Sequence, residues 1–307
     1  MRFFQMLRSK QKIVITWLSA FVAIYMGVSI LGAATSMQIP RLPVIGSPTS
    51  VGLVSQDVVF NSRVDNISLK GWFIPSSGDS VIVIIHGGFQ NRLDPIVNTL
   101  DLACDLNHNG FNLLLFDLRG RGESGGLGLS LSNINEDIGG AIDYLNSRGY
   151  SSEKIGLLGY CSGAANACIF SSKEKVGGLI LDGCFTSVKD MFYNQASSRG
   201  IPRPPVAIFI PGIELAAKVF YHYKEVNPID VVSQVQCPIF FIHEELDDLV
   251  SPNDDIALIG ASTNSKNILW QVDGTKHSEA YRTHPVEYVA KISEFFKVAL
   301  TTSDTAQ

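Results

Sequence analysis

Six short apolar runs, Val81 to Ile85, Phe111 to Phe116, Ile155 to Gly159, Val176 to Leu181, Ile239 to Ile242 and Ile268 to Val272, most constrain the fold. Longer amphipathic stretches separate them, near Pro95 to Asn109, Asn135 to Ser147, Ser162 to Ser172 and Val286 to Ala299. Apolar runs this short suit strands buried on both faces, and the stretches between them have helical spacing. Strand alternating with helix predicts an α/β fold, a mostly parallel, doubly wound sheet covered on both sides. Two extended stretches around Val58 and Leu69 precede the first run, so the domain is expected over 51–300, with 301–307 a tail. At 307 residues, 46% hydrophobic and 17% charged, the chain has enough apolar material for one large core. A net charge of −5, with no basic cluster beyond the N-terminus, argues against nucleic acid as a partner.

Ile13 to Ala34 is an uncharged stretch of 22 residues, preceded by Arg2, Arg8, Lys10 and Lys12 and by no acidic residue. Its length suits a bilayer core, and the upstream positive charge predicts a single-pass topology. Residues 1–12 are then a basic cytoplasmic N-terminus, 13–34 an uncleaved signal anchor, and the remainder extracytoplasmic. A cleaved signal peptide and a secreted product are the alternative, with Gly32-Ala33-Ala34 as a small-residue cleavage site. Residues 35–50, punctuated by Pro40, Pro43, Gly46 and Pro48, read as a linker lifting the domain off the membrane. Residues 185–228 are too long for a simple crossover; their apolar stretch Ala207 to Tyr223 follows Pro202, Pro204 and Pro205, and a cap over the site is expected. The five cysteines are an odd number, spaced neither as a disulfide framework nor as a zinc site, and Cys104 and Cys168 read as core residues.

Gly159-Tyr160-Cys161-Ser162-Gly163 lies where a predicted strand meets a predicted helix. It is the outline of a hydrolase nucleophile elbow with a thiol in place of the usual serine hydroxyl. A turn this tight strains its central residue, and the flanking glycines let neighbouring chain pass without a Cβ clash. The helix that starts after Cys161 points unpaired N–H groups at the sulfur and favours thiolate. A nucleophile needs a base and an orienting acid, expected in chain order nucleophile, acid, base. His277 follows the last apolar run, with Gly274 supplying the turn, and is the candidate base. Asp247 and Asp248 both follow the preceding run, and spacing leaves the choice of acid between them open. The first core strand runs into His86-Gly87-Gly88, so backbone N–H groups of Gly88 and Ser162 are the expected oxyanion donors. Ser162 as nucleophile is disfavoured because it begins the helix, and no elbow presents Ser124 or Ser278. Of six histidines, His86, His108, His222, His243 and His284 read as structural. No second histidine completes a metal motif with His243, and neither a metal nor an organic cofactor is expected.

Together these segments resemble the α/β-hydrolase superfamily over roughly residues 57–296. The elbow, His86-Gly87, the run Asp117 to Ser124 (DLRGRGES), His243 with Asp247, and Gly274 with His277 occur in the family's order. In the family's pattern the acid falls on Asp247 rather than Asp248. The closest resemblance is to membrane-anchored BEM46-like and lysophospholipase-like hydrolases, in which the elbow residue is serine. Cys161 departs from that group, as does Glu244, where a glycine is usual. Dienelactone hydrolases have a similar Gly-Tyr-Cys-x-Gly elbow with a Cys-His-Asp triad. The resemblance implies an esterase, thioesterase or lipase-like enzyme acting on a small-molecule or lipid-like acyl substrate. The alternative is a degenerate hydrolase retained as a membrane-tethered binding or scaffold module.

Overall fold

A computed structural model of the chain describes residues 2–127 and 133–301. Helix α1 (Arg2–Met37) leads through a short 3-10 turn into strands β1 (Gln56–Asn61), β2 (Ser68–Ile74) and β3 (Val81–Ile85). Then follow α2 (Thr99–His108), β4 (Asn112–Phe116), α3 (Ile134–Ser147), β5 (Ile155–Tyr160), α4 (Ser162–Ser171) and β6 (Gly178–Asp182). The insertion forms α5 (Val188–Ser198) and α6 (Arg203–Tyr221), followed by the single turn α7 (Pro228–Val231). Strand β7 (Ile239–Glu244), α8 (Pro252–Ala261), β8 (Ile268–Val272), the turn α9 (Ala280–Thr283) and α10 (Pro285–Thr301) complete the described chain. The tail expected at 301–307 lies, from residue 302 onward, outside the described residues.

The eight strands form one sheet in the order β1-β2-β4-β3-β5-β6-β7-β8. The pairs β1/β2 and β2/β4 are antiparallel and the rest parallel. Alternate residues of each central strand enter opposite cores, because side chains leave a strand on alternate faces. Val81, Val83 and Ile85 join α3, α4 and α8 on one side, whereas Ile82 and Ile84 join α2 and α10 on the other. The crossovers leave the site loops at the carboxyl ends of β3, β5, β7 and β8, where parallel sheets of this kind present ligands.

The structure sharpens the local reading at three places. Helix α2 begins at Thr99 rather than near Pro95, because the Asp94 carboxylate accepts the Ile96 N–H in a tight turn and Asn98 is left-handed. The insertion forms two helices, and Pro204 and Pro205 lie inside the first turn of α6, where N–H groups have no intrahelical partner. Residues 38–50 do not hold the domain at a distance. Arg41 donates to the carbonyls of Gly122 at 3.0 Å and Gly126 at 3.2 Å, and also to that of Ser124, while Asn91 donates to Leu42 and Pro43. The segment is thus pinned to the domain surface.

Candidate active site

Strand β5 ends in a turn that places Cys161 at φ 52°, ψ −120°, immediately before α4. Non-glycine residues rarely adopt such backbone, and it persists only where surrounding structure enforces it. Three contacts do so. The Cys161 N–H donates to the Asp182 carbonyl at 2.9 Å, locking the turn to β6. A Cβ on Gly159 would lie 2.6 Å from the Ala164 Cα, and one on Gly163 would lie 2.3 Å from the Ile85 carbonyl oxygen. Both glycines are therefore required by packing.

The β7 and β8 loops are joined by backbone bonds, Glu245 N–H to Val272 O and Leu246 N–H to Thr275 O, each 2.9 Å, and by Gly274 N–H to the Glu245 carboxylate at 2.7 Å. That pairing carries His277 to Asp247. His277 Nδ1 lies 2.6 Å from Asp247 Oδ2, while Asp247 Oδ1 accepts the N–H groups of Leu249 and Val250 at 2.7 and 2.9 Å. Asp248 is exposed. His277 Nε2 is buried with no partner that satisfies hydrogen-bond geometry, and Cys161 lies near enough to act on the ring electrostatically. Burial pulls the His277 pKa down, but the neighbouring Cys161 and the Asp247 carboxylate outweigh it and hold the imidazole well above its ordinary value.

The loop after β3 is held by its carbonyls. His86 Nδ1 lies 2.8 Å from the Gly87 carbonyl, and the Leu118 N–H donates to His86 Nε2 at 3.1 Å. This bonding requires a neutral ring with its proton on Nδ1, and burial accordingly lowers the His86 pKa to about 4. Arg121 Nε donates to the Gly88 carbonyl at 2.7 Å. Burial, with Arg41 beside it, brings the Arg121 guanidinium down to about 10. Gly87 faces Cys161, with a hypothetical Cβ 3.6 Å from the cysteine Cβ, and Gly88 stands at Ser162 in the same way, 2.8 Å from its hydroxyl. The remaining histidines sit apart: His243 pairs with Asp255 at 2.8 Å, His108 ends α2, and His222 and His284 cap helices. Cys168 is buried in the core and Cys104 is half-buried; all five cysteines are free.

Sequence reasoning missed an acidic network behind the imidazole. Tyr160 and Tyr288 share a hydroxyl hydrogen bond of 2.9 Å, and Tyr288 donates to Asp182 Oδ2 at 2.7 Å. Glu244 is fully buried against Asp182. Burial, reinforced by the facing carboxyl, raises Glu244 well above the usual carboxylate range, and burial raises Asp182 to about 6. Two adjacent buried carboxyls cannot both be ionised, so the pair holds a proton. A carboxyl oxygen of Glu244, one of Asp247 and a ring nitrogen of His277 all lie within 4.8 Å of one another. Gly183, at φ +62°, is the second missed residue: a Cβ there would meet His277 Cε1 at 2.8 Å. The Glu244 departure from glycine was the only signal of this network in the sequence.

Residues 80–205 match the family model described as the alpha/beta hydrolase fold. The Bacillus subtilis protein YqkD is 25% identical over 235 residues, 74% of each chain. The Arabidopsis thaliana alpha/beta hydrolase domain-containing protein WAV2 is 25% identical over 263 residues, 78% of this chain and 80% of that one. Among solved structures, the Pyrococcus furiosus esterase Pf2001 superposes with a TM-score of 0.71 at 21% identity, covering 86% of this chain and 97% of its own. Sheet order, the tight turn between β5 and α4 and these likenesses agree that the chain has the α/β-hydrolase fold.

Proposed function

We propose that the chain is an acyl hydrolase that cleaves carboxylic ester or thioester bonds through Cys161, His277 and Asp247. The observation that carries this reading is the strained Cys161 held against an imidazole whose other nitrogen lies 2.6 Å from a buried carboxylate. His277 takes the thiol proton, and the thiolate attacks the carbonyl carbon to give a tetrahedral oxyanion. The N–H groups of Gly88 and Ser162 receive that charge, a contribution of roughly 3 kcal/mol per donor. The intermediate collapses to a thioester acyl-enzyme as His277 returns the proton to the leaving alcohol or thiol. His277 then deprotonates water, which attacks the thioester; the carboxylic acid leaves and the Cys161 thiol is restored. Each step needs only these side chains and water.

Fold neighbours support an ester substrate: Pf2001 is an esterase, and Est1E from Butyrivibrio proteoclasticus, with a TM-score of 0.61, was solved with ferulic acid bound. Helix α1 is long and apolar enough to cross a bilayer, which supports a single-pass anchor with a cytoplasmic N-terminus and the domain on the far side. Turnover of short- and long-chain p-nitrophenyl esters and acyl thioesters by wild type, Cys161→Ala, Cys161→Ser, Ser162→Ala and His277→Ala tests the chemistry. Loss in Cys161→Ala and His277→Ala with retention in Ser162→Ala is expected. Full activity in Cys161→Ala would exclude the thiol, and an inactive wild type with an active Cys161→Ser would make the protein a degenerate binding module. A C-terminal reporter active only in the cytoplasm is expected to stay silent.

A further inference from the structure

The cap does not rest on the domain alone. Helix α6 runs alongside the last third of α1: Tyr25 stacks on Phe209 at 5.4 Å and donates to the Ile208 carbonyl at 3.1 Å, and Gly32 receives the Ile213 side chain. Ala33 and Met37 close the contact with Ala216 and Ala217. Between these two helices and α5 lies a cavity of about 210 Å³. Its walls are apolar, with Ala33 and Met37 from α1, Val188 and Phe192 from α5, and Ile210 and Ala217 from α6. Water is a poor occupant of such a space, and leaving it empty forfeits packing on every wall.

Among the polar groups that also border the cavity, one is buried and unsatisfied. Tyr223 borders the cavity at 8% exposure, and its buried hydroxyl has no hydrogen-bond partner among the described residues. Buried hydroxyls in folded proteins are nearly always satisfied, so an orphan that borders an apolar cavity marks the place of a ligand's acceptor. Lys189, Arg199, Glu214 and Glu225 also line the cavity, two of each sign, so the lining favours neither sign of head-group charge. The volume is below the several hundred Å³ that enclose a drug-sized ligand, which suits one chain rather than two.

We infer that the cavity bounded by α1, α5 and α6 binds the acyl chain of a single-chain amphiphile, with the Tyr223 hydroxyl donating to its carboxyl or ester oxygen. None of Cys161, Asp247 and His277 lines the cavity, so this site stands apart from the proposed hydrolysis. The source of the chain is a free fatty acid or a lysolipid of the adjoining bilayer, and the two share the chemistry recognised here.

The test uses the full chain in nanodiscs, in wild-type and Cys161→Ala backgrounds, so that labelling does not depend on turnover. Diazirine-bearing palmitic acid and lysophosphatidylcholine with the same chain are photolysed in parallel, and labelled peptides are mapped. Saturable labelling of α5 and α6, competed by unlabelled palmitate, is expected in both backgrounds. Tyr223→Phe is expected to weaken competition about tenfold, and Ala217→Trp to abolish labelling by filling the space. The probe competed at lower concentration identifies the source. Label confined to the outward face of α1 without competition, or competition unchanged in Tyr223→Phe, would overturn the site.

Discussion

Two buried acidic centres flank the carboxyl end of the sheet, and they solve the same electrostatic problem in opposite ways. At the first, Asp117 meets Arg92 at 2.8 Å and also accepts the N–H groups of Arg92 and Glu123, while the guanidinium lies 3.9 Å from the Trp72 ring centroid. Every Asp117 oxygen is occupied and its charge is cancelled within the core. At the second, Asp182 and Glu244 face each other with no arginine or lysine ion pair among the described residues, and Asp182 Oδ1 and both Glu244 oxygens have no partner that satisfies hydrogen-bond geometry. A paired charge makes a rigid clamp. A pair that must keep a proton makes a centre whose charge changes with pH, and this one stands beside His277.

The comparison orders the expected effects. Asp247→Asn leaves the shape of the site but removes the charge that orients His277, and should lower kcat by about 10⁴-fold with little change in unfolding. Asp117→Ala leaves the buried Arg92 with only the exposed Glu123 carboxylate as an ionic partner and should destabilise the full chain in detergent by about 3 kcal/mol in chemical denaturation. Gly183→Ala puts a Cβ against His277 on left-handed backbone, and should cost about 1 to 3 kcal/mol of stability and lower kcat more than it raises KM.

Glu244→Gln is the mildest. Because Asp182 and Glu244 are raised, the folded chain keeps a proton that the unfolded chain has lost, so stability falls as pH rises above about 4, through about 6 for Asp182 and onward for Glu244. The glutamine amide satisfies Asp182 without a proton, and melting temperatures measured across that window should decline less than in wild type. An unchanged slope would show that the pair holds no proton. His86 acts in the opposite direction: its lowered value gives stability present above its ordinary 6.5 and lost as pH falls through about 4.

What was legible in the sequence follows the range of the interaction. The central strands are buried on both faces, so their apolar runs are unbroken and their existence could be read directly, as could the tight turn at Cys161, whose two flanking glycines answer local backbone contacts. Asp247 could not be separated from Asp248 by spacing, because the choice depends on two loops pairing through backbone bonds. Helix α5 has no strong apolar stripe, since only Val188 in it is buried. Asp182, Gly183 and Arg121 acquire their roles from residues far away in sequence. The pinned 38–50 segment was hidden for a simpler reason: Arg41 binds main-chain carbonyls, which leave no signature in side-chain pattern.

Arg41 reaches the carbonyl of Arg121 at 3.5 Å, and the Arg121 side chain in turn grips the Gly88 carbonyl. A load path therefore runs from the end of α1 through two guanidinium groups to the loop that faces Cys161. The segment that follows α1 is therefore no slack tether, because its bonds end on the same loop that holds the Gly88 carbonyl.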